Sequence, residues 1–333
     1  KMDLAGTTDA GLVVLTGNGL GGFTQRANYP GKYSEGDPVV ADFNNDGKLD
    51  IAATYLKEGT SIEPTARIML GDGTGLFRVA GQFVNDSWET RILATADFNN
   101  DGKADLVLHN TFGGSIWKLV ILPGDGLGGF GAAIYQPDGI WANAAAAADF
   151  NQDGKQDLAL VNYYAGAWYN RVRILLGDGT GHFGAPKTYE MGTNSMPYDI
   201  AAGDFNKDGR PDLAVMLMSL TRVAVMPGNG TGGFGTPVKY SVGESPHRVV
   251  AGDFNTDNRL DLAVANLGLG ASVLMGDGAG VLGASKTYGA VTTYRLRHPK
   301  TLVVADFNGD RRPDLAAPLG PDGLVVLSNT CSN

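Results

Sequence analysis

Six times the chain carries the pattern Asp-x-Asn-x-Asp-x-x-x-Asp, beginning at Asp42, Asp97, Asp149, Asp204, Asp253 and Asp306. Each copy crowds three carboxylates and a carboxamide into nine residues, where like charges repel unless a cation joins them. The donors are all oxygen, the hard set that suits Ca2+. With side chains at positions 1, 3, 5 and 9 and the backbone carbonyl at position 7, the first candidate site is Asp42, Asn44, Asp46, Lys48 and Asp50. The second is Asp97, Asn99, Asp101, Lys103 and Asp105, and the third Asp149, Asn151, Asp153, Lys155 and Asp157. The fourth is Asp204, Asn206, Asp208, Arg210 and Asp212. Asp253, Asn255, Asp257, Arg259 and Asp261 make the fifth, and Asp306, Asn308, Asp310, Arg312 and Asp314 the sixth.

An Asx-rich turn without metal uses the same residue types, but it does not call for six copies with all four oxygen positions kept. An EF-hand loop begins alike yet needs a Glu at its twelfth position and flanking helices. Here the fourth side chain falls at the ninth position and apolar β-type runs flank the loop. Gly47 is expected at positive φ to close the turn. Asn258 and Arg311 stand where the other copies have that glycine. An Arg in the left-handed region costs about 1 kcal/mol, so the Asp306 loop is expected to be the weakest ion site.

The elements that position these loops follow from the spacing. Successive signatures are 55, 52, 55, 49 and 53 residues apart. Each unit reads as an apolar run of small residues, the Asp loop, a short strand such as Asp50–Ala53, a second apolar run such as Val172–Leu176, a glycine turn and a last strand. Short strands with turn signals about every ten residues read as antiparallel β structure, and four strands in about 50 residues make a propeller blade. Small residues, Ala and Gly with Thr95, at 95–96, 146–148, 201–203 and 251–252 suit an innermost strand, where blades converge and large side chains collide. Lys1-Met2-Asp3-Leu4-Ala5 matches the tail of a signature, so Asp3 is read as the last Asp of a seventh loop. The expectation is an all-β, seven-bladed β-propeller of four-stranded antiparallel blades with Ca2+ in the A–B loops. It is one domain over residues 1–333, with units starting near 1, 38, 92, 144, 199, 248 and 301. The first unit lacks its inner strand and the last its outer one; how the seam closes does not follow from the residues, and an unpaired edge there is a weak point.

Six glycine clusters recur as well, from Gly17–Phe23 through Gly71–Phe77, Gly124–Phe130, Gly177–Phe183 and Gly228–Phe234 to Gly276–Leu282. Three formally match the dinucleotide fingerprint G-x-G-x-x-G, but that pattern needs a helix after it, and here a strand follows. Asp-Gly and Asn-Gly make them hairpin turns. Together with the Asp-Phe-Asn-x-Asp-Gly-x-x-Asp-Leu-Ala-Val signatures they resemble the FG-GAP or VCBS repeat family and are similar to the propeller of integrin α subunits. That resemblance covers nearly the whole chain. It implies a calcium-loaded propeller, usually extracellular, used in adhesion, in lectins or in polysaccharide-active enzymes. Asn258, Arg311, Leu282 and the missing last glycine turn depart from the family pattern.

Composition narrows the function. The net charge of −9 is mostly metal-site acidity, since eighteen of the 35 acidic residues lie in signatures, and six Ca2+ ions would bring it to about +3. No basic stripe points to nucleic acid, and no run approaches the ~20 apolar residues of a membrane span. Cys331 is the only cysteine and gives neither a disulfide nor a catalytic setting. The chain opens on Lys1, as a processed product does. Several moderate-affinity calcium sites fit a secreted protein, because extracellular Ca2+ is abundant. Sequons at Asn85 and Asn229 are compatible with that.

In a four-stranded meander the calcium loops and glycine turns share one face, and the D–A and B–C connections share the other. The non-repeating residues fall on this second face, which makes it the candidate binding face. The candidates there are Trp88, Glu89, Arg91, Trp141, Tyr163, Tyr164, Trp168, Tyr198, His247 and Arg248. Aromatics beside Arg, Glu and Asn suit a sugar, whose faces stack and whose hydroxyls need polar partners. Large aromatics also plug gaps between blades. The expected partner is therefore a glycan, or an extracellular protein in adhesion, and the expected function is non-catalytic, lectin-like recognition. The contrasting reading is a polysaccharide lyase or hydrolase. It would draw on Glu89, Asp37, Asp199 or Glu244 as acids, or on Tyr164 or His247 as base with Arg248 against a uronate. No nucleophile elbow or zinc-ligand spacing supports it.

Overall fold

The computed structural model describes residues 1–8, 11–33, 38–56, 64–84, 89–112, 116–137, 139–162, 170–267, 270–288, 302–318 and 324–330. Among them the strands form seven antiparallel sheets, each made from neighbouring stretches of chain. Blade 4 shows the plan: Ala144–Ala148 (strand A), Asp157–Val161 (B), Arg171–Leu175 (C) and Lys187–Glu190 (D), paired in that order. Ala146 lies opposite Ala159, Leu158 opposite Leu175 and Arg173 opposite Thr188. Blades 3, 5 and 6 repeat it, starting at the inner strands Glu89–Ala96, Pro197–Gly203 and Pro246–Gly252. In blade 2 the inner edge of the B strand Asp50–Leu56 is paired by two pieces, Lys32–Tyr33 and Val39–Ala41. Blade 1 holds three strands, from Leu4–Thr8 onward, and blade 7 three, ending at Leu324–Leu327. The expected seven-bladed, four-stranded all-β propeller with incomplete first and last sheets is what forms.

The B strands carry unbroken apolar runs because each blade is covered on both faces by its neighbours. Asp157–Val161 and Asp212–Leu217 are buried throughout. The core is thus a series of joints between consecutive blades. Phe98, Val107 and Ile121 of blade 3, for example, pack with Leu158, Leu160 and Leu175 of blade 4. The small inner-strand residues, such as Ala145–Ala148, are only half-buried, as the innermost strands of a wheel must be.

Each signature's Phe is buried and joins two blades. Its N–H bonds within its own blade, while its carbonyl accepts an N–H from the next blade's glycine turn. Gly128, Gly181, Gly232 and Gly280 donate to Phe43, Phe98, Phe150 and Phe205 at 3.0–3.2 Å. The same contact closes the seam, with Gly21 donating to Phe307 at 3.1 Å and Phe23 edge-on to Phe307 at 5.5 Å. Blade 7 has no glycine turn, and Asn329 takes its place: its N–H donates to Asp314 at 2.7 Å and its side-chain amide to the Phe254 carbonyl.

The ninth-position Asp is fully buried in each of the six signatures. Asp157 accepts the Phe150 N–H at 2.9 Å on one oxygen and the Gly177 N–H at 2.8 Å on the other. Hydrogen bonds to a charged acceptor contribute about 1.5–3 kcal/mol each. We expect Asp157→Ala to lower stability by at least about 3 kcal/mol in urea denaturation. A loss below about 1 kcal/mol would mean that the clamp is dispensable.

Candidate functional site

The calcium-loop candidates hold one conformation six times. Asp42 accepts the Asp46 N–H at 3.1 Å and the Gly47 N–H at 2.8 Å. Asn44 accepts the Asp46 N–H at 3.0 Å, and Asp46 the Lys48 N–H at 2.9 Å. These bonds draw positions 1, 3 and 5 to one side of the turn, and the equivalents in the other five loops match. Gly47 sits at φ 81°, as expected, and Asn258 and Arg311 hold the same conformation at 61° and 69°. The second oxygen of Asp46 accepts the Asn44 side-chain amide at 3.2 Å and faces Lys48 Nζ at 3.5 Å, and Asp101, Asp153, Asp208 and Asp257 face Lys103, Lys155, Arg210 and Arg259.

The ninth residue behaves differently. Asp50, Asp105, Asp157, Asp212, Asp261 and Asp314 turn inward onto backbone N–H groups. Burial pushes Asp105 up to about 6 against the pull of the Gly124 and Phe98 N–H groups, and Asp97 and Asp101 push the same way. Among the described residues no three His, Cys, Asp or Glu side chains gather as a metal group. Positions 1, 3 and 5 of each loop bring two carboxylates and one carboxamide oxygen to the same turn. That all-oxygen set fits a hard dication, which would take the place of the Asn44 and Lys48 donors on Asp46 Oδ2.

On the opposite end, the structure gathers three of the predicted ligand residues with three others. In blade 3 the register sets Arg91 against His109 and Glu89 against Thr111. Thr111 in turn lies opposite Trp117. Directly paired residues share a sheet face, so all five line one side of blade 3. Trp141, on the connection into blade 4, stacks on Trp117 at 5.6 Å and 23° and lies 6.3 Å from His109. Its position is set by neighbours: Ile140 and Ala142 are buried, and the Gly139 N–H donates to the Trp117 carbonyl at 3.2 Å. Arg91 pairs with Glu89 at 3.8 Å. Burial, aided by Arg91, pushes His109 down to about 3, so the imidazole is neutral at physiological pH.

A second cluster bridges blades 5 and 6. Tyr198 meets His247 edge-on at 5.7 Å. Arg248 donates to Asp199 at 2.9 Å, and Asp199's other oxygen accepts the Val249 N–H at 2.8 Å. Burial pushes Asp199 up to about 7 and Arg248 down to about 10, each toward its neutral form. Asp199, an acid candidate for catalysis, is thus taken up in a joint between blades. Trp88, Tyr163, Tyr164, Trp168 and Asp37 lie outside the described residues. Sequence reasoning missed Thr111 and passed over His109 as one of four scattered histidines. The available signal was the apolar B strand turning polar at His109-Asn110-Thr111, where blade 5 reads Met216-Leu217.

An FG-GAP-like repeat model matches residues 1–53 and 149–215. The chain thus carries FG-GAP-like repeats over those residues within a wheel of seven antiparallel sheets. No curated protein matches it. Among solved structures it is similar to a Bacteroides uniformis protein provisionally assigned as a 6-phosphogluconolactonase, at 15% identity and TM-score 0.66, covering 98% of this chain and 94% of that one. It is also similar to a periplasmic gluconolactonase of Pseudomonas aeruginosa, at 15% identity and TM-score 0.62, covering 98% and 99%. A third likeness is to BBS1N in complex with ARL6DN, at 12% identity and TM-score 0.61, covering 99% and 88%. At these identities the likeness is one of fold.

The buried pair gives a pH-dependent prediction. Removing one partner of such a pair costs about 3–5 kcal/mol, because the other charge is left buried. Asp199's folded pKa lies above its ordinary 3.8, so its ionisation lowers stability progressively as pH rises from about 4 to about 7. Arg248→Met should therefore destabilise the protein far more at pH 8 than at pH 5 in parallel urea titrations. Equal losses at the two pH values would rule out an ionised Asp199 as the cause.

Proposed function

We propose that this propeller is a calcium-stabilised extracellular recognition module that binds carbohydrate without turning it over. The observation that carries the reading is the stacked, half-buried Trp117–Trp141 pair, with Arg91 and Glu89 on the same side. Paired indoles offer a sugar ring an apolar face, and fixed polar groups beside them orient its hydroxyls. This surface lies on the end of the wheel where the connections vary, while the repeated loops at the other end serve the scaffold.

In the calcium part of the reading, Asp42, Asn44, Asp46 and the Lys48 carbonyl hold an ion, as do their equivalents in the other five loops. Asp50 and its equivalents lie behind. The ion supplies positive charge where three carboxylates crowd, which ties the A–B hairpin to the blade and offsets repulsion in the apo loop. Millimolar calcium outside cells favours a secreted setting for such sites.

Ligand linkage fixes the expected size of the calcium effect. A site at a hundredfold excess over its Kd adds about 2.7 kcal/mol. Chelation should therefore lower Tm by several degrees, reversibly on adding Ca2+ and not Mg2+. Arg311→Gly should tighten the weakest calorimetric site about fivefold by relieving about 1 kcal/mol of left-handed strain. An unchanged Tm after exhaustive chelation would refute the calcium role.

The carbohydrate reading is tested on a glycan array with a turnover assay on the hits. Trp141→Ala should weaken binding at least about tenfold, the scale of losing one stacked ring at about 1–3 kcal/mol. New reducing or unsaturated ends on a bound glycan would instead make the protein an enzyme. Binding of proteins alone would make it an adhesion module.

A further inference from the structure

The end of blade 3's B strand holds polar atoms that the fold leaves unsatisfied. His109 Nε2 and Thr111 Oγ1 are buried without a hydrogen-bond partner, and their residues are 2% and 9% exposed. Native proteins keep few such atoms, because each loses its water and gains nothing in return. Polarity at this level differs between blades, with an unpartnered Thr54 at the same position in blade 2 and an apolar residue in blade 5. Met216 stands in blade 5 where His109 stands in blade 3, and it is fully buried. The two side chains lie two residues apart on one strand, so they share a face. It is the face that carries Trp117 and meets Trp141.

We propose that His109 Nε2 and Thr111 Oγ1 are the contacts with which this propeller reads the hydroxyls of an uncharged sugar ring stacked on the Trp117–Trp141 pair. The assignment rests on the carbohydrate reading above and names its discriminating residues and ligand class. The neutral imidazole nitrogen gives or takes a proton according to tautomer, and the Thr hydroxyl does both, as sugar hydroxyls do. A carboxylate, which only accepts, matches this pair less well. Arg91, the nearby cation, is already balanced by Glu89 at 3.8 Å. Among the described residues at this site Arg91 is thus not left unmatched for a uronate, and a ring bound on the Trp117–Trp141 pair changes the surroundings of these indoles, which makes tryptophan fluorescence the readout.

The test is a tryptophan-fluorescence titration of the whole protein with neutral hexopyranosides and the matching uronic acids. Neutral sugars should bind at least about tenfold more tightly, equivalent to about 1.4 kcal/mol. Thr111→Val keeps the shape and removes the hydroxyl. It should lose about tenfold or more in affinity while melting at or above the wild-type temperature, because the orphan atom is gone. Thr111→Ser should retain binding. His109→Leu gives a second, independent reading should the valine variant fold poorly. Array binding that survives both Thr111→Val and His109→Leu, or a preference for uronates, overturns this assignment and leaves the carbohydrate function standing. Absence of any sugar binding by the wild type overturns both.

Discussion

The wheel depends on a buried carboxylate that holds two backbone N–H groups from different hairpins of one blade. In each signature the ninth Asp accepts the second residue's N–H on one oxygen, and an N–H at the C–D turn on the other. Two turns that would otherwise leave buried donors unpaired are locked together by one side chain. Since the signature's Phe then offers its carbonyl to the following blade, the clamps link into a circuit that passes from blade to blade. Packing alone would let adjacent sheets slide, because apolar contact has no direction. These bonds fix their relative height.

The same requirement explains the ends. Asp3 accepts the Gly17 N–H at 2.9 Å, as the ninth Asp of each signature accepts its own turn N–H. Blade 7 has no glycine turn, yet Asn329 supplies one donor from its backbone and another from its side chain. The seam is held by the interblade contact used elsewhere, with Phe307 engaging Gly21. Between blades 1 and 2 the Phe77 N–H donates to the Tyr29 hydroxyl at 2.6 Å, as the Phe234 N–H of blade 5 does to the Tyr189 hydroxyl of blade 4 at 2.9 Å.

Labour is divided between the two ends of the wheel. At the loop end the same side-chain-to-backbone bonds recur in all six loops, which makes them nearly identical. At the other end blade 3 departs from the apolar rule with His109, Asn110 and Thr111, and the connection into blade 4 brings an indole over them. These unsatisfied polar atoms beside the stacked indoles are the groups the proposed sugar contact would use. The Asp199–Arg248 pair at the next-but-one joint is the opposite case, with its polar atoms consumed by a neighbouring blade.

Repetition along the chain by itself determined the blade, the strand order, the number of sheets and the oxygen-rich loops. Each of these is local, and six copies average out the noise of any one. The small residues of Ala144–Ala148 likewise declared the crowded centre. The tertiary structure alone decided that the ninth Asp faces inward, that Asp199 belongs to Arg248, and that Asn329 stands in for a turn. It alone brought Glu89, Arg91, His109, Thr111, Trp117 and Trp141 together. Those outcomes rest on contacts between strands and between residues about fifty positions apart, and on burial. Neither leaves a periodic trace, because cross-blade partners are chosen by the register of sheets and not by the spacing of residues.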